Sequence, residues 1–203
     1  LYNIVNILGN INQNIVYNVN LDGIDGPTGN TGPVGPTGPV TSGTNFGDYL
    51  YWNTNLTPAQ WSAGSSNIKI GYQSGLTNQG TQAVAIGYQA GLGNQGASAV
   101  SIGTNAGQFS QNSSCIAIGS SAGNNNQGTN SIAIGLNAGK TNQQSGAIAI
   151  GVNAGNIGVT AGALTGQDVN AIAIGNSAGQ TGQKSGAIAI GFQAGGTFQG
   201  TYG

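Results

Sequence analysis

Val84-Ala85-Ile86-Gly87-Tyr88-Gln89-Ala90-Gly91 decides the fold, because it recurs. The pattern is apolar, small, Ile, Gly, two free positions, small, Gly. It starts at Ile68, Val84, Val100, Ile116, Ile132, Ile148, Ile172 and Ile188. Six of the seven intervals are 16 residues; the seventh, from Ile148 to Ile172, is 24. A short fixed period identifies a solenoid, each repeat being one rung that cannot bury its apolar face alone. Residues 67–203 therefore read as an all-β parallel β-roll of 16-residue rungs. The eight extra residues form an insertion near 156–170, a candidate contact loop.

Within a strand the first and third repeat positions share one face and the second takes the other. The third position is Ile in every copy: Ile70, Ile86, Ile102, Ile118, Ile134, Ile150, Ile174 and Ile190. Rungs stack about 4.8 Å apart, so these eight are expected to form a continuous core ladder. The second position holds Lys69, then Ala85, Ser101, Ala117, Ala133, Ala149, Ala173 and Ala189. A solvated strand face favours larger polar side chains, so a run of Ala implies a closely approaching backbone. That face is expected to be the subunit interface of a trimer. Ser74, Ala90 and their equivalents suit a narrow roll, and Gly71 and its equivalents suit the bend between two walls. Asn78, Asn94, Asn126 and Asn142 share one register, with Ser110 in the gap, which predicts an axial amide ladder.

Three different segments precede the roll. Residues 1–22 alternate, with Ile11, Ile15, Tyr17, Val19 and Leu21 on odd positions and Asn on even ones. Period two with β-branched residues predicts strand. This segment is read as an anchor in a capsid or surface base, or as an assembly strand that adds to a neighbour. Residues 23–40 are collagen-like, with Gly23, Gly26, Gly29, Gly32, Gly35 and Gly38 opening six consecutive triplets. Only Gly fits at the axis of three polyproline-II-like chains, so these glycines predict a trimer interface. Residues 41–66 contain both tryptophans, Trp52 and Trp61. They read as two short strands around a turn at 53–59 whose aromatics seal the first rung. A carbohydrate site using Tyr51, Trp52 or Trp61 is the competing reading of the same residues.

Composition removes several function classes. Charged residues are 3% of the chain, with three Lys, four Asp and no Arg, Glu or His. Nucleic acid and anionic lipid are captured by clustered cations, which are absent. No apolar run reaches the ~20 residues of a membrane-spanning helix. Zinc-type Cys/His clusters are missing, and Asp48 and Asp168 lie far apart in sequence, so neither an enzyme nor a cofactor is expected. The single Cys115 adjoins a repeat and reads as a small packed residue. Gly91-Leu92-Gly93-Asn94-Gln95-Gly96 matches the dinucleotide fingerprint by letter, but lacks the strand–helix context that gives the motif meaning.

The repeats Val84–Ala90 and Ile132–Ala138 resemble the head repeats of YadA-like trimeric autotransporter adhesins. Over about residues 67–195 the resemblance implies a left-handed parallel β-roll, three rolls side by side, and contact with host surfaces. In place of that family's coiled-coil stalk and membrane barrel, this sequence has a collagen-like stalk on the N-terminal side. The stalk, with Tyr51-Trp52-Asn53 leading into the repeats, resembles collagen-like fibre proteins of large DNA viruses. The expected protein is an extracellular homotrimeric fibre on a virion or cell surface, serving attachment or coating. The alternative is a self-assembling filament polymerised by strand addition from residues 1–22. A host receptor or glycan is the expected partner.

Overall fold

The computed structural model describes residues 43, 45–64, 66–156, 166–197 and 199–203. The expected anchor strand, the assembly residues Ile11, Ile15, Tyr17, Val19 and Leu21, the collagen-like glycines Gly23 to Gly38, and positions 157–165 of the insertion lie outside them. The described residues form strands and turns without a helix. Strands β1 (Tyr49–Asn53) and β2 (Gln60–Gly64) make an antiparallel hairpin in which Trp52 stands opposite Trp61. The chain then alternates between two walls through β3 (Ile68–Ile70), β4 (Thr77–Gln79), β5 (Val84–Ile86), β6 (Gly93–Gln95), β7 (Val100–Ile102), β8 (Phe109–Gln111), β9 (Ile116–Ile118), β10 (Asn125–Gln127), β11 (Ile132–Ile134), β12 (Thr141–Gln143) and β13 (Ile148–Ile150). It closes with β14 (Ile172–Ile174) and β15 (Ile188–Ile190). The repeat strands stack in parallel as one eight-stranded wall, and the connectors as a five-stranded wall.

The rungs stay in register throughout. Ile68 pairs with Val84 and Ile132 with Ile148 at 16-residue spacing, and Ile148 pairs with Ile172 across the 24-residue interval. The insertion therefore leaves the first wall continuous. The second wall ends as named strands at β12, where the insertion enters.

The core is alanine, which reverses the expected facing of the repeat. Ala85, Ala117, Ala133, Ala149 and Ala173 are fully buried inside the roll, and Ala189 nearly so. All of these but Ala85 form one cluster with Ala106, Ala122, Ala138, Ala154 and Ala178 of the bend. The third-position isoleucines point outward. Ile70 and Ile190 are 54% and 64% exposed, Ile102 and Ile118 both 36%, while Ile86, Ile134, Ile150 and Ile174 are half-buried. So the Ile series is not the core ladder, and the Ala series is not a face turned to another chain. The backbone that the alanines admit is the opposite wall of their own roll. A 16-residue rung folded into two walls is thin, and close packing lets volume override the usual preference for Ile inside.

Between the walls runs a second interior ladder, made of glutamine. Gln95, Gln111, Gln127, Gln143, Gln167 and Gln183 are at most 1% exposed. Gln127 Nε2 donates to Ile116 O at 2.8 Å and to Gln143 Oε1 at 3.3 Å, and Gln127 Oε1 accepts from Gln111 Nε2 at 3.0 Å. Gln143 reaches Gln167 across the insertion at 3.0 Å. Each amide thus ties the two walls together and adjacent rungs together. Burying the group without such partners costs roughly 1–3 kcal/mol.

Glycine is dictated at the bend. Gly87 has φ +127°, and a Cβ there would lie 2.8 Å from the carbonyl of Gly103 on the next rung. The connector residues Asn78, Asn94, Ser110, Asn126 and Asn142 all take left-handed φ of 51–57°. Asn tolerates that region better than most side chains because its short amide bonds locally. The predicted amide ladder is present: Asn78 Nδ2 donates to Asn94 Oδ1 at 2.9 Å and Asn126 Nδ2 to Asn142 Oδ1 at 3.0 Å. Cys115 occupies the interior beside Ser131, where burial pushes its thiol pKa up. It is a packed residue, as its sequence position predicts.

Candidate functional site

Two features of the surface are not explained by folding alone: the outer face of the eight-stranded wall, and a groove at the first rung. The wall carries two outward columns, the first-position Val and Ile residues and the third-position isoleucines, running from β3 to β15. Tyr72, Tyr88, Leu136, Val152 and Phe192, just past the bend glycines, are 39–72% exposed and widen this apolar face. Tyr72 and Tyr88 stack on adjacent rungs, their centroids 5.3 Å apart and their planes 16° apart.

The groove lies between the β1–β2 hairpin and the first rung, is half open to solvent with a volume of about 980 Å³, and is lined by residues 49–55, Trp61 and 69–76. The hairpin turn is held locally: Asn55 N–H donates to Asn53 Oδ1 at 3.0 Å, and Asn53 Nδ2 to Ser62 Oγ at 3.3 Å. Strand alternation sends Tyr49, Tyr51 and Asn53 to one side and Leu50 and Trp52 to the other. Tyr49 lies over Gly64, where any Cβ would collide with its ring. Its hydroxyl donates to Asn67 O at 2.6 Å and accepts from Lys69 N–H at 2.7 Å. Burial raises the Tyr49 phenol pKa, and the bond from Lys69 opposes that shift.

Tyr49 therefore blocks the open edge of β3, a device that discourages edge-to-edge pairing. The tryptophans, expected to seal the rung, do not. Trp52 and Trp61 pair edge to face at 5.5 Å and remain 52% and 43% exposed. Lys69 Nζ sits 5.6 Å from the Tyr51 ring centroid, and burial lowers its pKa.

The structure thus brings Tyr51, Trp52 and Trp61 to one groove and disperses the remaining charge. Asp48 Oδ2 accepts from Asn45 N–H at 2.8 Å and Asp168 Oδ1 from Val169 N–H at 2.8 Å. Among the described residues no three His, Cys, Asp or Glu side chains gather, and no helix is long and apolar enough to cross a membrane. The glutamine ladder escaped the sequence reading, although its signal is present. Gln79, Gln95, Gln111, Gln127, Gln143, Gln167, Gln183 and Gln199 keep one register across every repeat. Compared with protein-family models, curated proteins and solved structures, the chain matches none.

Proposed function

We propose that this chain is the subunit of a homotrimeric extracellular fibre, with an N-terminal β segment, a collagen-like rod and a left-handed β-roll head, that attaches to or coats a virion or cell surface. The observation that carries the reading is the apolar outer wall: parallel sheets are ordinarily covered on both faces, and contiguous apolar surface marks an interface. The occupant is further copies of the same chain, because the six Gly-led triplets of 23–40 require three chains. The trimer contact accordingly moves from the buried alanines to the outward isoleucines. The role is non-catalytic and cofactor-free, supported by two aspartates that serve their own turns. Lys69, Lys140 and Lys184 are too sparse to hold nucleic acid or anionic lipid.

The filament formed by strand addition is the weaker reading for the first-rung end of the roll, since the Tyr49 hydroxyl already bonds Asn67 O and Lys69 N–H there. Sedimentation equilibrium of the full chain is expected to give three 19.9 kDa subunits. Ile118→Lys is expected to reduce the mass toward one subunit while leaving the β circular dichroism in place. A monomeric wild-type chain overturns the reading.

A further inference from the structure

Both tryptophans of the chain line the first-rung groove, and the packing task expected of them is done by Tyr49 instead. We propose that this groove binds a neutral oligosaccharide. Its volume of about 980 Å³ lies at the upper end of ordinary ligand sites. Trp52 and Trp61 present large, rigid, half-exposed rings (52% and 43%) suited to stacking on the C–H faces of sugar rings.

Polar groups stand beside the rings. In later rungs the N–H after the repeat Ile, and the N–H two residues on, bond back to the preceding rung: Gly87 to Ile70 O at 2.7 Å and Gln89 to Tyr72 O at 2.8 Å. Gly71 and Gln73 line the groove, and among the described residues no preceding rung takes up their N–H groups. Gln73 Oε1 is taken by Gln89 Nε2 at 2.8 Å, which leaves its own Nε2 to donate. Amide donors beside aromatic faces match the alternating hydroxyls and C–H surfaces of a sugar.

Other ligands fit less well. An extended peptide would need Asn67 O and Lys69 N–H, both held by the Tyr49 hydroxyl. An anion would find one ammonium, Lys69, already over the Tyr51 ring. The groove therefore selects an uncharged ligand with apolar faces and many hydroxyls.

The inference names a ligand for the adhesive head and rests on that reading for its biological use only. The test uses the full chain, with its mass measured in parallel, and a panel of soluble oligosaccharides built from hexoses and N-acetylhexosamines, neutral members beside sulfated and sialylated ones. Intrinsic emission reports directly, because both tryptophans line the groove. At least one neutral member is expected to shift the emission saturably. Trp52→Ala and Trp61→Ala, followed on immobilised glycan, should each weaken binding roughly 10-fold or more, as buried aromatic anchors do. Asn126→Ala, exposed on the connector wall and outside the groove, should leave binding unchanged, and circular dichroism should show every variant folded. If the Trp variants misfold, Gln73→Ala tests the same groove by its lost donor. Four results overturn the proposal: no neutral member binds; binding survives both Trp substitutions; only sulfated or sialylated members bind and Lys69→Gln abolishes it; or emission shifts with protein concentration alone, showing that copies cover the groove. Sugar binding by a monomeric chain would sink the trimer and leave this inference standing.

Discussion

The two walls of the roll share one interior and have opposite exteriors. Both send alanine or glutamine inward. Outside, the connector wall carries asparagines that hydrogen-bond from rung to rung, such as Asn126 to Asn142, and can face water as they stand. The repeat wall carries isoleucines whose outer faces stay partly open among the described residues, as at Ile102 and Ile118. The difference teaches that closing the roll does not use its largest apolar side chains. Small volume and amide bonds close it, while the isoleucines of the repeat stand on its outer face.

Three substitutions would break or sharpen that contrast. Ala133→Leu should be the most damaging. The site is fully buried between two walls with no room for added carbons, so urea unfolding should show a loss above about 3 kcal/mol, or no cooperative fold. A mild effect would mean that the interior is looser than alanine packing implies. Gln127→Leu comes next. It keeps the volume but strips the bond to Ile116 O and leaves Gln111 Nε2 with Val100 O as its one remaining acceptor, a loss of about 2 kcal/mol. Alkylation of Cys115, buried on the adjoining rung, should accelerate in parallel; an unchanged rate would show that the ladder does not clamp the rungs. Asn126→Ala should be nearly silent, within about 0.5 kcal/mol, because an exposed amide exchanges its partner for water. A large loss there would place the ladder among the features that hold the roll together.

Much of this was legible. The 16-residue period, the parallel stacking, the bend at Gly71 and its equivalents, the Asn ladder and the hairpin of 41–66 all follow from spacing and residue type. The carbohydrate reading of Tyr51, Trp52 and Trp61 was also open, as the less favoured of two. What spacing could not supply was which side of the strand faces in. Alternation places Ala85 and Ile86 on opposite faces but is symmetric about the choice, and hydrophobicity points to the wrong one. The function of Gln127 was hidden for a related reason: a polar residue beside a glycine reads as a loop until two walls are seen to close around it. Tyr49 could be distinguished from Trp52 only by the strand register, which turns one toward the first rung and leaves the other half-exposed on the opposite face of the hairpin.

By itself, then, the sequence determined the rung, its length and its stacking, because these depend on local periodicity and on glycine where no side chain fits. Tertiary structure decided inside from outside. That choice rests on the distance between the two walls, which is set by the chain as a whole: it admits alanine and one hydrogen-bonded glutamine, and it turns the isoleucines outward.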